Sequence, residues 1–220
     1  MEHPLLPSRL AGALRREWRL RHLGDASYGF LFDPAPENEW VSLACATTGH
    51  DQEKDRVLAL CAVRVRGHRV LSSERLELLL RPDGPDGRVA TEALRRHGLR
   101  EQDLAQDLPA AEAAKALLHF IGSRPLLGYY LEFDCAMLEQ IVKPLIGIGL
   151  PQEQLEVSSL YYDWRLRQLP PYQQDGVNID LRYSTMLQAL DLPERESPDP
   201  LDRAVLTALA FIKLRQMAAV

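Results

Sequence analysis

Two rhythms of apolar residues run along this 220-residue chain. The first is strand-like. Trp40 to Ala46 is a mostly apolar run suited to a strand buried on both faces. Arg56 to Arg66, with Val57, Leu58, Leu60, Ala62, Val63 and Val65, reads as a second strand. Gly67-His68 is a tight turn, and Val70 to Leu80 alternates as a third strand antiparallel to the second. The turn residues of Pro82 to Gly87 then break the meander.

Beyond that break the period moves towards 3.6. Ala110 to Gly122 places Ala113, Ala116, Leu117, Phe120 and Ile121 on one helical face. Pro125 to Tyr129 is a short apolar strand, followed by a helix over Glu132 to Val142 that Pro144 is expected to end. Glu156 to Ser158 reads as a last strand and Ser159 to Gln168 as a helix. Pro170, Pro171 and Gly176 mark a loop, with helices over Leu181 to Leu190 and Leu201 to Ala218. This order predicts an α/β domain, a mixed five-stranded sheet that opens with the antiparallel meander and is flanked by helices.

Residues 1–39 differ from the rest. Ser8 can cap a helix from Arg9 to Leu23 whose Leu10, Leu14 and Trp18 share one face. Arg9, Arg15, Arg16, Arg19 and Arg21 fill the remainder, Gly24 ends it, and Asp33 to Glu37 reads as a linker. The expected organisation is a basic amphipathic helix and linker over 1–39 and the main domain over 40–220. The helix either lays its Leu/Trp stripe on that domain or docks a partner protein.

Charge narrows the function. A net charge of −5 argues against coating duplex nucleic acid through a broad basic face, while leaving room for a pocket that holds one strand end. Cys45, Cys61 and Cys135 have no metal-type spacing and read as buried thiols, which suits a reducing cytoplasm. No apolar run reaches membrane-spanning length, so a soluble cytoplasmic protein is expected.

Three stretches carry the chemistry. Ala44-Cys45-Ala46-Thr47-Thr48-Gly49 ends the first strand. Leu126-Leu127-Gly128-Tyr129-Tyr130-Leu131-Glu132-Phe133-Asp134 joins a strand to a helix. Pro198-Asp199-Pro200-Leu201-Asp202-Arg203-Ala204 opens the closing helix. Together they resemble the motifs of the DnaQ-like (DEDDh) 3′–5′ exonucleases, which have the ribonuclease H-like fold. Arg96-His97-Gly98-Leu99-Arg100-Glu101-Gln102-Asp103-Leu104 resembles a further family turn, with acidic residues ahead of a helix, that is structural or borders the substrate groove.

The resemblance implies four acidic residues holding two Mg²⁺ or Mn²⁺ ions and a His that activates water. At those five positions this chain has Ala44, Ala46, Asp134, Pro198 and Arg203, so one acid of four remains and the base is gone. A shifted register would make Asp202 the ligand and put Ser197 at the His position. The family turn lies against the terminal nucleotide, which makes Thr47, Thr48 and Gly49 candidate ligand contacts. Tyr129 and Tyr130 stand where His-Asn is commoner and offer rings to stack on a base. Arg203 is expected to pair with Asp134 where a metal was, or to bind phosphate.

No catalytic set is intact and no metal or other cofactor is expected. The leading expectation is a pseudo-exonuclease that binds a nucleotide or a single-stranded 3′ end, or a partner protein, in a regulatory role. The alternatives are a rewired exonuclease using Mg²⁺ or Mn²⁺, and an interaction scaffold acting through the N-terminal helix. Family members commonly dimerise, so a homodimer is also an expectation.

Overall fold

The computed structural model describes residues 8–80, 91–99, 108–174, 176–194 and 199–218. Five strands form one mixed sheet: β1 (Glu39–Thr47), β2 (Val57–Arg66), β3 (Arg69–Leu79), β4 (Leu126–Gly128) and β5 (Gln154–Glu156), in the order β3-β2-β1-β4-β5. The β1–β2 and β2–β3 pairs are antiparallel, while β1–β4 and β4–β5 are parallel. The predicted meander and sheet are therefore present. The turn chemistry of Pro82 to Gly87 lies outside the described residues.

Helices α1 (Ser8–Arg21), α2 (Thr91–Arg96), α3 (Ala110–Ile121), α4 (Leu131–Ile146), α5 (Val157–Arg167), α6 (Pro171–Gln174), α7 (Tyr183–Ala189) and α8 (Pro200–Ala218) flank the sheet. One core joins Val41, Leu43 and Cys45 of β1 to Leu117 and Leu118 of α3 and Met137 and Leu138 of α4. The other face packs Ala44 against Leu127, Tyr161, Ala204 and Ala208. Small residues at 44, 204 and 208 bring α8 close to β1, and the buried Ser42 hydroxyl donates to the Ala204 carbonyl at 2.7 Å. That close approach sets where the first turn of α8 meets the end of β1.

Pro144 does not end α4, which runs on to Ile146. The proline sits on the exposed face, so the Gln140 carbonyl that loses its helical partner lies on the solvent side. The stop is Gly147, at φ 76, whose N–H bonds the Lys143 carbonyl. A Cβ there would stand 3.2 Å from the His22 carbonyl oxygen, because the chain after α1 crosses this corner and the Gly24 N–H bonds the Ile146 carbonyl.

The N-terminal segment also departs from expectation. A 3₁₀ turn over Ala26–Phe32 drives Tyr28, Leu31 and Phe32 into the same core as β1, α3 and α4. Helix α1 turns Arg16 and Arg19 towards the domain: Arg16 donates to the Phe32 carbonyl and Arg19 to that of Leu150. Leu14 and Trp18 of the apolar stripe face outward, 59% and 58% exposed. Carbonyls on the domain take these two guanidinium groups, and this rotation leaves Leu14 and Trp18 uncovered. No helix among the described residues is long and apolar enough to cross a membrane.

Candidate functional site

Strand β1 outlasts its parallel neighbour. β4 stops at Gly128, opposite the middle of β1, so the main-chain groups of Cys45 have no strand partner on that side. Two side chains take its place. Asp134, in the first turn of α4, accepts a backbone hydrogen bond from Cys45. Arg203, in the first turn of α8, donates through Nη2 to the Cys45 carbonyl at 2.7 Å. The same nitrogen lies 3.5 Å from Asp134 Oδ2. The expected pairing of Arg203 with Asp134 is thus met, and the pair also closes the open edge of β1.

Asp134 is 2% exposed. Burial pushes its carboxyl up to about 7, against the opposing pull of Arg203 and of the Cys45 hydrogen bond, with Glu156 adding to the rise. Arg203 Nε is buried with no hydrogen-bond partner. Tyr183 fixes the backbone of this turn, its hydroxyl donating to the Arg203 carbonyl at 3.1 Å.

Ala44 and Ala46 do not reach the cleft. They are 1% and 0% exposed, Ala44 beneath α8 and Ala46 among Leu58, Ala59 and Ala93. The β1 residues that line the cleft are Cys45 and Thr47.

The Thr-Thr-Gly turn is internally bonded. Thr48 Oγ1 donates to Asp55 Oδ1 at 2.6 Å and accepts from the Arg56 N–H, while Thr47 Oγ1 donates to the Gly49 carbonyl. A Cβ at Gly49 would crowd the Asp55 carboxylate, so a larger residue here needs that side chain to move. His97 lies across the Thr47 peptide, its Nε2 3.0 Å from the Thr47 carbonyl. Burial lowers the His97 pKa, so the ring is neutral at pH 7 and can donate to that oxygen. The part of its motif from Arg100 to Leu104 lies outside the described residues.

The opposite wall is aromatic. Tyr129 packs edge-on against Tyr130 at 4.8 Å and tilted by 50° against Tyr183 at 4.7 Å, and its hydroxyl donates to the Leu181 carbonyl. Tyr130 is 70% exposed and sits at φ 59, ψ 39, in the left-handed region, immediately before α4. A bulky residue there carries strain of roughly 1–2 kcal/mol, which Asn tolerates far better. Glu156 fixes the turn, accepting the Leu131 N–H through Oε2 and the Ser158 N–H through Oε1.

These walls enclose about 620 Å³, lined by Cys45, Thr47, His50, His97, Tyr129, Tyr130, Phe133, Asp134, Tyr183 and Arg203. The site thus gathers Thr47, Tyr129, Tyr130, Asp134 and Arg203 from the predicted set. Thr48, Gly49, Ala44 and Ala46 stand behind the wall, and Pro198 and Ser197 lie outside the described residues. Asp202, the ligand of the shifted register, does not line the cleft.

The donor set does not fit a pair of divalent cations. It offers one carboxyl with a raised pKa, a guanidinium beside it, and methyl groups at the two β1 positions. Among the described residues no three His, Cys, Asp or Glu side chains converge as a metal site. Sequence reasoning missed His50, Phe133 and Tyr183 as wall residues. Phe133 adjoins Asp134 in a motif already singled out, whereas Tyr183 arrives by tertiary packing with no local signal.

An exonuclease family model, RNase_T, matches residues 45–185, which takes in the second motif and all but Ala44 of the first, and stops before the third. Among solved structures, E. coli exonuclease I in complex with a dA16 oligonucleotide matches with a TM-score of 0.66 at 15% identity, over 83% of this chain and 42% of that one. The zinc-bound form of the E. coli exonuclease I–ssDNA complex matches with a TM-score of 0.61 at 16% identity, over 83% and 40%. At that identity the likeness establishes the shared fold. The present chain spans less than half the length of these proteins. No curated protein matches it.

Proposed function

The chain belongs to the RNase_T exonuclease family, and from that premise we propose that it is a pseudo-exonuclease, a member whose cleft holds a nucleotide or the 3′ end of a single strand without cutting it. The observation that carries this reading is the Asp134–Arg203 pair. A fixed guanidinium replaces exchangeable cations, and its attachment to the Cys45 carbonyl holds it at the end of β1. Exonuclease I binds oligonucleotides with the same fold, and the aromatic wall here keeps surfaces on which a base can stack. The protein works without a metal in this reading, and its role is regulatory. Three buried free thiols accord with the reducing cytoplasm in which we place it.

The test is a nuclease assay on 3′-ended single-stranded DNA and RNA with Mn²⁺. Beside it runs E. coli exonuclease I as the positive control for substrates and metal. Expected is no cleavage by the natural chain and cleavage by the control. Metal-dependent cleavage by the natural chain overturns the reading. A second reading, an interaction scaffold acting through α1, draws on the outward-facing Leu14 and Trp18. Under it, deletion of residues 1–24 would abolish partner capture while nucleotide binding persisted.

A further inference from the structure

A second cavity lies at the other end of the sheet. Strands β1, β4 and β5 run parallel, and the aromatic cleft sits where β1 and β4 end. The second cavity sits where β4 and β5 begin, with Pro125 and Gln154 in its lining, and α1 supplies its other wall through Arg16 and Arg19. Its volume is about 690 Å³, within the range of small-ligand sites.

Gln152 marks this cavity as a place for a ligand. The side chain lines it and is 7% exposed. Its Nε2 donates to the Gly122 carbonyl at 2.7 Å, which fixes the orientation of the amide. The other amide atom, Oε1, is buried and has no hydrogen-bond partner among the described residues. An amide oxygen only accepts, so the partner it lacks is a donor. A buried acceptor left unpaired costs stability, and in the wall of a cavity a bound N–H group can supply the missing bond.

Charge narrows the ligand further. Arg16 and Arg19 stand one turn apart on α1, and each spends a nitrogen on a backbone carbonyl. A guanidinium has five N–H donors, so both keep donors for an anion. Asp33 and Glu153 bring carboxylates to the same cavity from the domain. An anion alone would meet those carboxylates, and a cation alone would meet the guanidinium groups. A small molecule with a carboxylate at one end and an ammonium at the other suits both, and its ammonium is a donor of the kind that Gln152 lacks. We infer that this cavity is a site for a free amino acid. Bound there, the ligand joins the arginines of α1 to Gln152 of the domain and fastens the helix. The inference concerns a second site and stands apart from the reading of the cleft.

The experiment is titration calorimetry of the full chain with each of the standard amino acids at low salt. At least one should bind. Its N-acetyl form, which lacks the ammonium, and its methyl ester, which lacks the carboxylate, should each bind about tenfold more weakly, the loss of one charge-assisted contact. Arg16→Met and Arg19→Met should each weaken it by a similar factor. The two derivatives need no variant, so they keep the test alive if α1 loosens when an arginine is lost. Saturating ligand should also slow hydrogen exchange of the α1 amides. Binding of none of the amino acids overturns the inference, as does binding that both arginine variants leave unchanged. An N-acetyl form that binds as well as the parent makes this a carboxylate site and overturns the zwitterion.

Discussion

The two walls of the cleft obey opposite rules. On the β1 side, polar groups are consumed by one another: Asp134 and Arg203 serve Cys45, the threonine hydroxyls serve the turn, and the alanines are packed beneath. On the α4 side, Tyr130 is strained, exposed and bonded to little. A wall whose groups satisfy one another has become part of the fold. A wall that carries unfavourable conformations without internal return is where a ligand can supply what is missing. The comparison predicts that substitutions on the first wall act on stability and those on the second act on binding.

The most severe break is Ala44→Asp. The methyl lies under α8 with Ala204 and Ala208, in a cluster of buried apolar side chains. A carboxylate there should cost about 3–5 kcal/mol in urea denaturation, the range for an uncompensated buried charge. A loss under about 1 kcal/mol would show that the β1 wall has kept room for its family carboxylate. Arg203→Met comes next. It strips the Cys45 carbonyl of its partner and leaves Asp134 beside an apolar chain, for a loss of about 2–3 kcal/mol. A neutral result would mean the pair is not holding the strand edge.

Asp134 also gives this wall a pH signature. Its folded pKa of about 7 lies above the unfolded value of 3.8, so the native state binds the extra proton between them. Stability from this group is therefore fully present below the unfolded value, declines as pH rises through the folded one, and levels off above it. The decline amounts to a few kcal/mol at about 1.4 per unit. Asp134→Asn should flatten the profile between pH 4 and 8 as roughly read by denaturation midpoints. A wild-type profile that rises over that interval would contradict the burial-dominated account.

Most of the fold was legible because the period of the apolar residues changes where strands give way to helices, and because the motifs fix strand ends. The Asp134–Arg203 contact was legible too, since replacing a metal ligand by a cation leaves a carboxylate needing a partner. What the sequence did not show was rotation and burial. Pattern alone cannot say which face of α1 meets the domain, and the carbonyls of Phe32 and Leu150 that capture Arg16 and Arg19 belong to distant segments. Tyr183 is hidden for the same reason. Pro144 misled because its effect depends on whether the bereft carbonyl can face solvent, a tertiary fact.

The smallest expected effect discriminates best, because it has the opposite sign. Tyr130→Asn exchanges a ring that resists the left-handed region for the side chain that accepts it, and Asn is the commoner residue of the family motif at this place. The ring is exposed and its main contact is the edge of Tyr129, so little packing is lost. The variant should be more stable by up to about 1 kcal/mol, seen as a rise in thermal midpoint of a few degrees. The same change removes the stacking surface from the cleft. Higher stability with weaker nucleotide binding would show that this wall gives up stability for a ligand. If instead the variant is less stable, the ring is holding the turn itself, and the α4 wall has become part of the fold as the β1 wall has.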